Sequence, residues 1–456
     1  MFNNQPSTPH KRLLKASPVR LICLSFLLVI FTGAVLLTLP ISSRSGVITP
    51  FPDALFTATS ATCVTGLVVY DTYLYWSVFG QIIILLLIQI GGLGLVTLTT
   101  FFNMAIGRKM GLRSMDLAKE SVNSDNFADA RRMVKTAMVV TFAIEGLGAL
   151  VLAFTFVPEY GAEGIYISIF TAVSAFCNAG FDLMGRHGAF VSLTGYADQA
   201  MVCLPIMLLI IFGGLGFVVW RELYQYRRTH TLSLHTRVVL FMTVLLIVLG
   251  GVVISILEWN NPATMAELSP GDKVMAGFFQ SVTTRTAGFN TIDQAGMTDL
   301  SKIISIALMF IGAAPASTGG GIKVTTVAVM FMTVSSVMRG YEDTIIMGHK
   351  LDKKAVYKAM ALLFLALTVV IFSSMLMHFA LDNQVNSIDI VYEEVSAFAT
   401  VGLSAGVTAR LGMLSRMVLI LSMYLGRVGP VSLAVSLAMR GSSAKQVLPQ
   451  GKILIG

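Results

Sequence analysis

Four short stretches of the 456-residue chain resemble one another, and each runs into a glycine. They read Thr62-Cys63-Val64-Thr65-Gly66-Leu67, Phe176-Cys177-Asn178-Ala179-Gly180-Phe181, Thr284-Arg285-Thr286-Ala287-Gly288-Phe289 and Ala399-Thr400-Val401-Gly402-Leu403. The glycine-to-glycine steps, 66 to 180, 180 to 288 and 288 to 402, are 114, 108 and 114 residues. A repeat this regular implies four equivalent units, and such units are most simply placed around one axis.

Composition sets the solvent in which those units fold. Hydrophobic residues make up 55% of the chain and charged residues only 12%. The runs 21–39, 238–257 and 359–377 carry no charge, and each holds about the 20 residues that cross a hydrocarbon core as a helix. The first run is too long and too poorly flanked for a cleaved signal, so it is expected to stay as a helix. The four cysteines, at 23, 63, 177 and 203, lie in apolar stretches without paired spacing, which excludes a disulfide or zinc framework. The net charge of +8 is spread over helix ends and gives no nucleic-acid footprint.

Basic residues set the orientation. They cluster before residue 21, at 108–135, 221–237 and 339–358, and after 439, while the intervening segments carry acids such as Asp53, Asp71, Glu159, Glu258, Asp389 and Glu393. Both termini are therefore expected in the cytoplasm, with the glycine motifs approaching from outside. Each repeat reads as a helix out, a short amphipathic dip, and a helix back. First helices fall near 20–39, 133–157, 238–257 and 356–379, and dips near 52–69, 164–182, 273–290 and 386–403. Second helices fall near 76–107, 199–225, 301–338 and 414–440. The expected fold is an all-α membrane protein of four tandem helix–pore-loop–helix repeats, eight transmembrane helices with pseudo-fourfold symmetry around one pore. The boundaries are 1–19 for an N-terminal tail, 20–110, 131–228, 236–339 and 354–440 for the repeats, and 441–456 for a C-terminal tail.

The dips are too short to span, so they must be buried in protein or line water. Their helices point negative dipole ends into the membrane. Glycine then permits a backbone in which successive carbonyl oxygens face one side. Four such segments would stack rings of carbonyls able to replace the water shell of a monovalent cation. The candidate filter is Val64, Thr65 and Gly66; Asn178, Ala179 and Gly180; Thr286, Ala287 and Gly288; and Thr400, Val401 and Gly402.

The second helices repeat as well, through Gly91-Gly92-Leu93-Gly94, Gly213-Gly214-Leu215-Gly216 and Gly426-Arg427-Val428-Gly429. The third unit instead carries Gly312-Ala313-Ala314-Pro315-Ala316-Ser317-Thr318-Gly319-Gly320-Gly321. That run cannot hold a regular helix, so an irregular loop over 312–322 is expected beneath the filter, acting as a gate. Its candidate gating residues are Gly312, Ser317, Thr318, Gly319, Gly320, Gly321 and Lys323. Arg427, a cation in mid-helix, is a functional candidate by its cost alone. At ~6 Å and an effective dielectric of ~20 it would repel a passing cation by roughly 3 kcal/mol. Glu145 and Arg285 also interrupt apolar segments, and Arg285 is expected to brace the filter against Glu393 or Glu394.

These residues resemble a known family. The stretches 58–67, 174–181, 285–290 and 396–403 look like the pore loops of the Trk/Ktr/HKT superfamily of potassium transporters. Ser317 to Lys323 resembles its intramembrane gating loop, and Gly426-Arg427-Val428-Gly429-Pro430 its pore arginine. The likeness covers nearly the whole chain and is nearest to the KtrB-type branch. It implies potassium uptake across the plasma (bacterial inner) membrane, in many members dependent on sodium. It implies a homodimer in which each protomer has its own pore. It also implies assembly with a cytoplasmic KtrA-type ring, which binds the nucleotide (ATP/ADP or NAD(H)); this chain has no nucleotide fold and no covalent cofactor. Glycine rather than serine at position 66 goes with potassium. Ala314-Pro315 departs from the family's usual gating loop.

Two other classes compete. An alternating-access carrier usually has inverted repeats, whereas these run parallel with every dip on one side. A membrane enzyme would need a metal cluster, a nucleophile–base pair or a phosphate loop, none of which the sequence supplies.

Overall fold

The computed structural model describes residues 18–94, 97, 127–381 and 385–429. The two tails, the basic segment around Arg108 to Arg113 and the ends of the first and fourth second helices lie outside the described residues.

Long apolar runs become the first helices of the units: α1 (Pro18–Thr38), α4 (Phe127–Tyr160), α8 (Leu234–Glu258) and α12 (Lys353–Leu381). Their outward faces remain apolar, with Leu28, Phe154, Phe241 and Phe364 exposed, as a lipid-facing surface requires. Each is followed by a short helix whose polar and small residues are buried: α2 (Phe51–Cys63), α5 (Glu163–Phe176), α9 (Pro270–Thr283) and α13 (Ser387–Phe398). These have 13, 14, 14 and 12 residues, about 18–21 Å at 1.5 Å per residue, and cannot span ~30 Å. Proline in the first turn starts α2 and α9, where its missing N–H costs no hydrogen bond.

The return helices are shorter than the sequence suggests. They are α3 (Val78–Leu93), α6 (Ala200–Leu215), α10 (Asp299–Phe310) and α14 (Met413–Val428). Three of them stop at the last glycine of their motif, with Gly94, Gly216 and Gly429 at φ of 80°, 89° and 91°. A helix cannot continue through that left-handed backbone. After Gly216 the chain turns by 96° into α7 (Phe217–Thr229). The expected continuous spans 199–225 and 301–338 are thus each broken in two. The second becomes α10, an irregular loop, and α11 (Val324–Met338). Among the described residues, four helices are long and apolar enough to cross a membrane, or five if the bent pair counts as one. A small hairpin, β1 (Ile345–Ile346) with β2 (His349–Lys350), joins α11 to α12.

Glycines in the return helices have a packing reason. A Cβ on Gly91, Gly213 or Gly426 would strike the carbonyl oxygen of Thr62, Phe176 or Phe398, at or next to the end of the short helix in the same unit. Close approach of small residues is how helices associate where lipid weakens any hydrophobic drive. The core is accordingly built around the short helices, through Phe56, Phe170, Phe176, Phe279, Tyr392 and Phe398, all fully buried.

Candidate ion-permeation site

In each unit the chain leaves the short helix by the same backbone path. Val64, Asn178, Thr286 and Thr400 have φ of 58°, 60°, 71° and 52°. Two residues later Gly66, Gly180, Gly288 and Gly402 have φ of 94°, 68°, 86° and 95°. The first set is not glycine, and left-handed backbone costs such residues about 1–2 kcal/mol each. Four repetitions of the same strain mean that surrounding contacts hold it. Some of those contacts are hydroxyl caps that sequence reading missed: Ser60 Oγ accepts from Gly66 N–H and Ser396 Oγ from Gly402 N–H, both at 3.0 Å. Serine six residues before the motif glycine, in units one, two and four, was the available signal, although Ser174 Oγ in unit two finds no hydrogen-bond partner among the described residues.

The four segments come together. A Cβ on Gly66 would fall on the carbonyl oxygen of Ala179, on Gly180 at 2.6 Å from that of Ala287, on Gly288 at 2.5 Å from that of Val401, and on Gly402 on that of Thr65. Each glycine therefore abuts the middle residue of the next segment, and the fourth abuts the first. Above this ring opens a cavity of about 410 Å³, lined by all four glycines and by Asp71, Asp182, Asp293 and Arg410. Acids outnumber bases at that mouth, which raises the local concentration of cations.

Beneath the ring lies the irregular loop. Thr318 Oγ1 donates to Phe176 O and to Asn178 Oδ1, both at 3.1 Å. Gly319 packs against Thr286 and Gly320 against Thr400, so closely that a Cβ on either would overlap the threonine hydroxyl. Three successive loop residues thus step around Asn178, Thr286 and Thr400, the first residues of the candidate filter segments of units two, three and four. The loop is braced from within. Lys323 Nζ donates to Gly319 O at 2.7 Å, Gly312 N–H to Ile322 O at 2.8 Å, and Ser317 Oγ to Ala314 O at 2.6 Å. Pro315-Ala316 also has a role here. Ala316, at φ 55°, accepts the Phe217 N–H at 2.9 Å, capping the start of α7 after the Gly216 break.

Arg427 completes the floor on the side of unit one. Its guanidinium donates to Thr318 O, to Gly91 O at 2.5 Å and to Gly92 O at 3.4 Å. Among the described residues no acid pairs with it; its partners there are backbone carbonyls of the loop and of α3. Among the described residues Arg285 pairs with neither Glu393 nor Glu394; the Glu393 carboxylate instead accepts from Ser404 Oγ, Val407 N–H, Thr408 N–H and Thr408 Oγ1. Arg285 is 7% exposed and its Nη1 has no hydrogen-bond partner, while its backbone carbonyl accepts from Asn178 Nδ2 at 3.3 Å. Glu145 meets Gln89 Nε2 at 3.2 and 3.3 Å, a cross-unit contact that a polar residue in each of two apolar helices signals. All four cysteines are free and buried, and no group of three or more metal-ligating side chains occurs among the described residues.

The family model described as TrkH, a cation transport protein, matches residues 17–447. The Ktr system potassium uptake protein B of Vibrio alginolyticus is 40% identical over 97% of this chain and 96% of its own. The protein of the same name in Bacillus subtilis is 38% identical over 96% and 97%. The potassium/sodium uptake protein NtpJ of Enterococcus hirae is 36% identical over 97% and 98%. The crystal structure of the potassium transporter TrkH from Vibrio parahaemolyticus superposes with a TM-score of 0.72, covering 95% of this chain and 87% of that one at 18% identity. With a ring of glycine turns at its centre and a family match over nearly its whole length, this multi-pass membrane chain belongs to the TrkH cation transport family, whose members are ion transporters and not enzymes.

Proposed function

We propose that the chain is a potassium-uptake subunit whose pore runs through the ring of Gly66, Gly180, Gly288 and Gly402. The observation that carries this reading is the cyclic contact of each glycine with the next segment's carbonyl, built on the same pair of left-handed residues four times. Such a backbone aims oxygens inward, and carbonyl rings replace the hydration shell of a dehydrated monovalent ion. On this reading the four units are pseudo-symmetric about the pore, and in units two and three the broken return helices carry the chain back across the bilayer. The names of relatives at 36–40% identity support potassium as the ion. One of them names sodium as well, in line with sodium-dependent uptake.

The loop 312–322 and Arg427 form the gate in this proposal. Loop residues 318–320 and the guanidinium occupy the space directly under the filter, so ions pass only when they withdraw. The relatives' names place them in a Ktr system, which supports control by a cytoplasmic nucleotide-binding ring acting on a homodimer in the plasma membrane, with both termini cytoplasmic. The test is purified protein in liposomes. Potassium or rubidium uptake should be fast and should exceed sodium uptake, and Gly66→Ser or Gly288→Ser should reduce that preference. No rubidium flux from well-folded protein would overturn the reading.

A further inference from the structure

Arg285 stands just before the third candidate filter segment, where its side chain is buried and its Nη1 finds no hydrogen-bond partner. Among the described residues the two other buried cations are provided for. Lys273 Nζ donates to Trp259 O at 2.8 Å, and Lys302 pairs with Asp389 at 2.7 Å. A charge taken out of water without an opposite partner is costly. A guanidinium cannot avoid that cost by losing its proton at neutral pH.

A second orphan lies beside the same space. Thr243, on α8, is 5% exposed, and its Oγ1 makes no hydrogen bond. A threonine within a helix commonly turns its hydroxyl onto the carbonyl four residues back, as Thr333 and Thr368 do here. Thr243 does not. Both residues line one cavity of about 10 Å³, whose other walls are Ile210, Ile211 and Gly214 of α6 and Val282 of α9. That is room for one small occupant. The side chains around it offer a cation and a hydroxyl, and no carboxylate.

We propose that this cavity is a buried site for a single halide ion, held by the Arg285 guanidinium and the Thr243 hydroxyl. Charge decides between occupants of that size. A water molecule would satisfy the donors and leave the guanidinium unpaired, whereas chloride does both. Sulfate and other polyatomic anions exceed the space. The ion ties α6, α8 and α9 together behind the third filter segment, where Arg285 O accepts from Asn178 Nδ2 of the second. By offsetting the charge of Arg285 it also lowers the repulsion felt by a cation at Thr286 to Gly288. That effect on permeation rests on the pore reading above; the site itself does not.

Crystals of the full-length protein soaked in potassium bromide locate the ion directly: anomalous scattering should show a peak between Arg285 and Thr243. In detergent, at constant potassium and ionic strength, replacing gluconate by chloride or bromide should raise the unfolding midpoint, and more so as halide increases. Thr243→Val should need about tenfold more halide for the same rise, the loss expected for one hydrogen bond to a charged group. Arg285→Gln should abolish the rise; should that variant fail to fold, the bromide peak and Thr243→Val still decide. No bromide peak at the cavity would overturn the site, and so would equal halide dependence in the wild type and Thr243→Val. Rubidium uptake into liposomes, with a protonophore to balance charge, should fall when gluconate replaces chloride. A halide-dependent midpoint in a protein that moves no rubidium would sink the pore reading and leave the site standing.

Discussion

Position 288 shows what a single atom does in the ring. Gly288 has φ 86°, and a Cβ there would come within 2.5 Å of Val401 O and 3.1 Å of Gly180 Cα. Gly288→Ala therefore combines backbone strain of about 1–2 kcal/mol with displacement of a neighbouring segment. The expected outcome is a folded protein whose potassium preference over sodium falls at least about tenfold, equivalent to about 1.4 kcal/mol, read as the ratio of fluxes in liposomes. At the same scale Arg427 donates three hydrogen bonds, and on the proposed reading its charge also repels a passing cation. Arg427→Ala removes both the repulsion and the tie between loop and α3. Rubidium flux should rise by about an order of magnitude or more, since even half of a 3 kcal/mol barrier is worth about tenfold. Unchanged flux from well-folded protein would assign Arg427 a structural part only.

Among elements, the loop between α10 and α11 differs most from its counterparts. It holds its place through Thr318 on unit two and Lys323 on its own carbonyls. Hydrogen bonds of this kind contribute about 0.5–1.5 kcal/mol each when neutral and more when charged. Thr318→Val keeps the shape and removes the donor. It should raise basal flux several-fold with little change in thermal stability, checked by rubidium uptake beside a melting curve. The β1–β2 hairpin is ruled by different physics. Its Asp343 carboxylate pairs with Lys350 at 2.5 Å, and that hydrogen bond holds the carboxyl below its usual range. A depressed acid contributes above its unfolded pKa and loses that contribution as pH falls through the folded value. Amide exchange in the hairpin should therefore quicken, relative to its intrinsic rate, on acidification below the ordinary carboxylate range. Asp343→Asn should remove that pH dependence.

Over the whole molecule, contacts between neighbouring units close a circle. Asp71 accepts from Phe190 N–H at 2.9 Å between units one and two, and Leu193 N–H donates to Asn290 O at 3.0 Å between two and three. Lys302 meets Asp389 at 2.7 Å and Tyr392 donates to Gln294 at 2.7 Å between three and four. Arg416 pairs with Asp53, and Tyr424 donates to Cys23 O at 3.0 Å, joining the fourth unit to the first across 401 positions of sequence. The Lys302 and Asp389 side chains are 6% and 15% exposed, so removing one partner strands a buried charge at a cost of about 3 kcal/mol. Lys302→Met should lower the unfolding midpoint in detergent, and Lys302→Met with Asp389→Asn should recover part of the loss. Equal midpoints for single and double variants would show that the pair adds nothing.

Much of this was legible along the chain. Apolar runs marked the four long helices, and glycine spacing marked the filter candidates Gly66, Gly180, Gly288 and Gly402, because the backbone path they allow is a local property. The Gly312 to Gly321 run marked an irregular loop for the same reason. The helix ends at Gly94, Gly216 and Gly429 were readable only in part: a glycine permits a left-handed turn, but the crowding of Gly91, Gly213 and Gly426 against carbonyls of the short helices requires the folded neighbours. Partners of most charged residues were not readable. Arg285 was matched with Glu393 or Glu394 by chemistry, yet Glu393 is claimed by Ser404, Val407 and Thr408 and Glu394 makes no hydrogen bond to Arg285, and the partners of Arg427 are carbonyls. The sequence by itself determined which residues can turn and which can cross lipid, since both depend on a residue and its nearest neighbours. Only the tertiary structure decided which oxygen each buried donor finds, because that choice depends on distances between segments about a hundred residues apart.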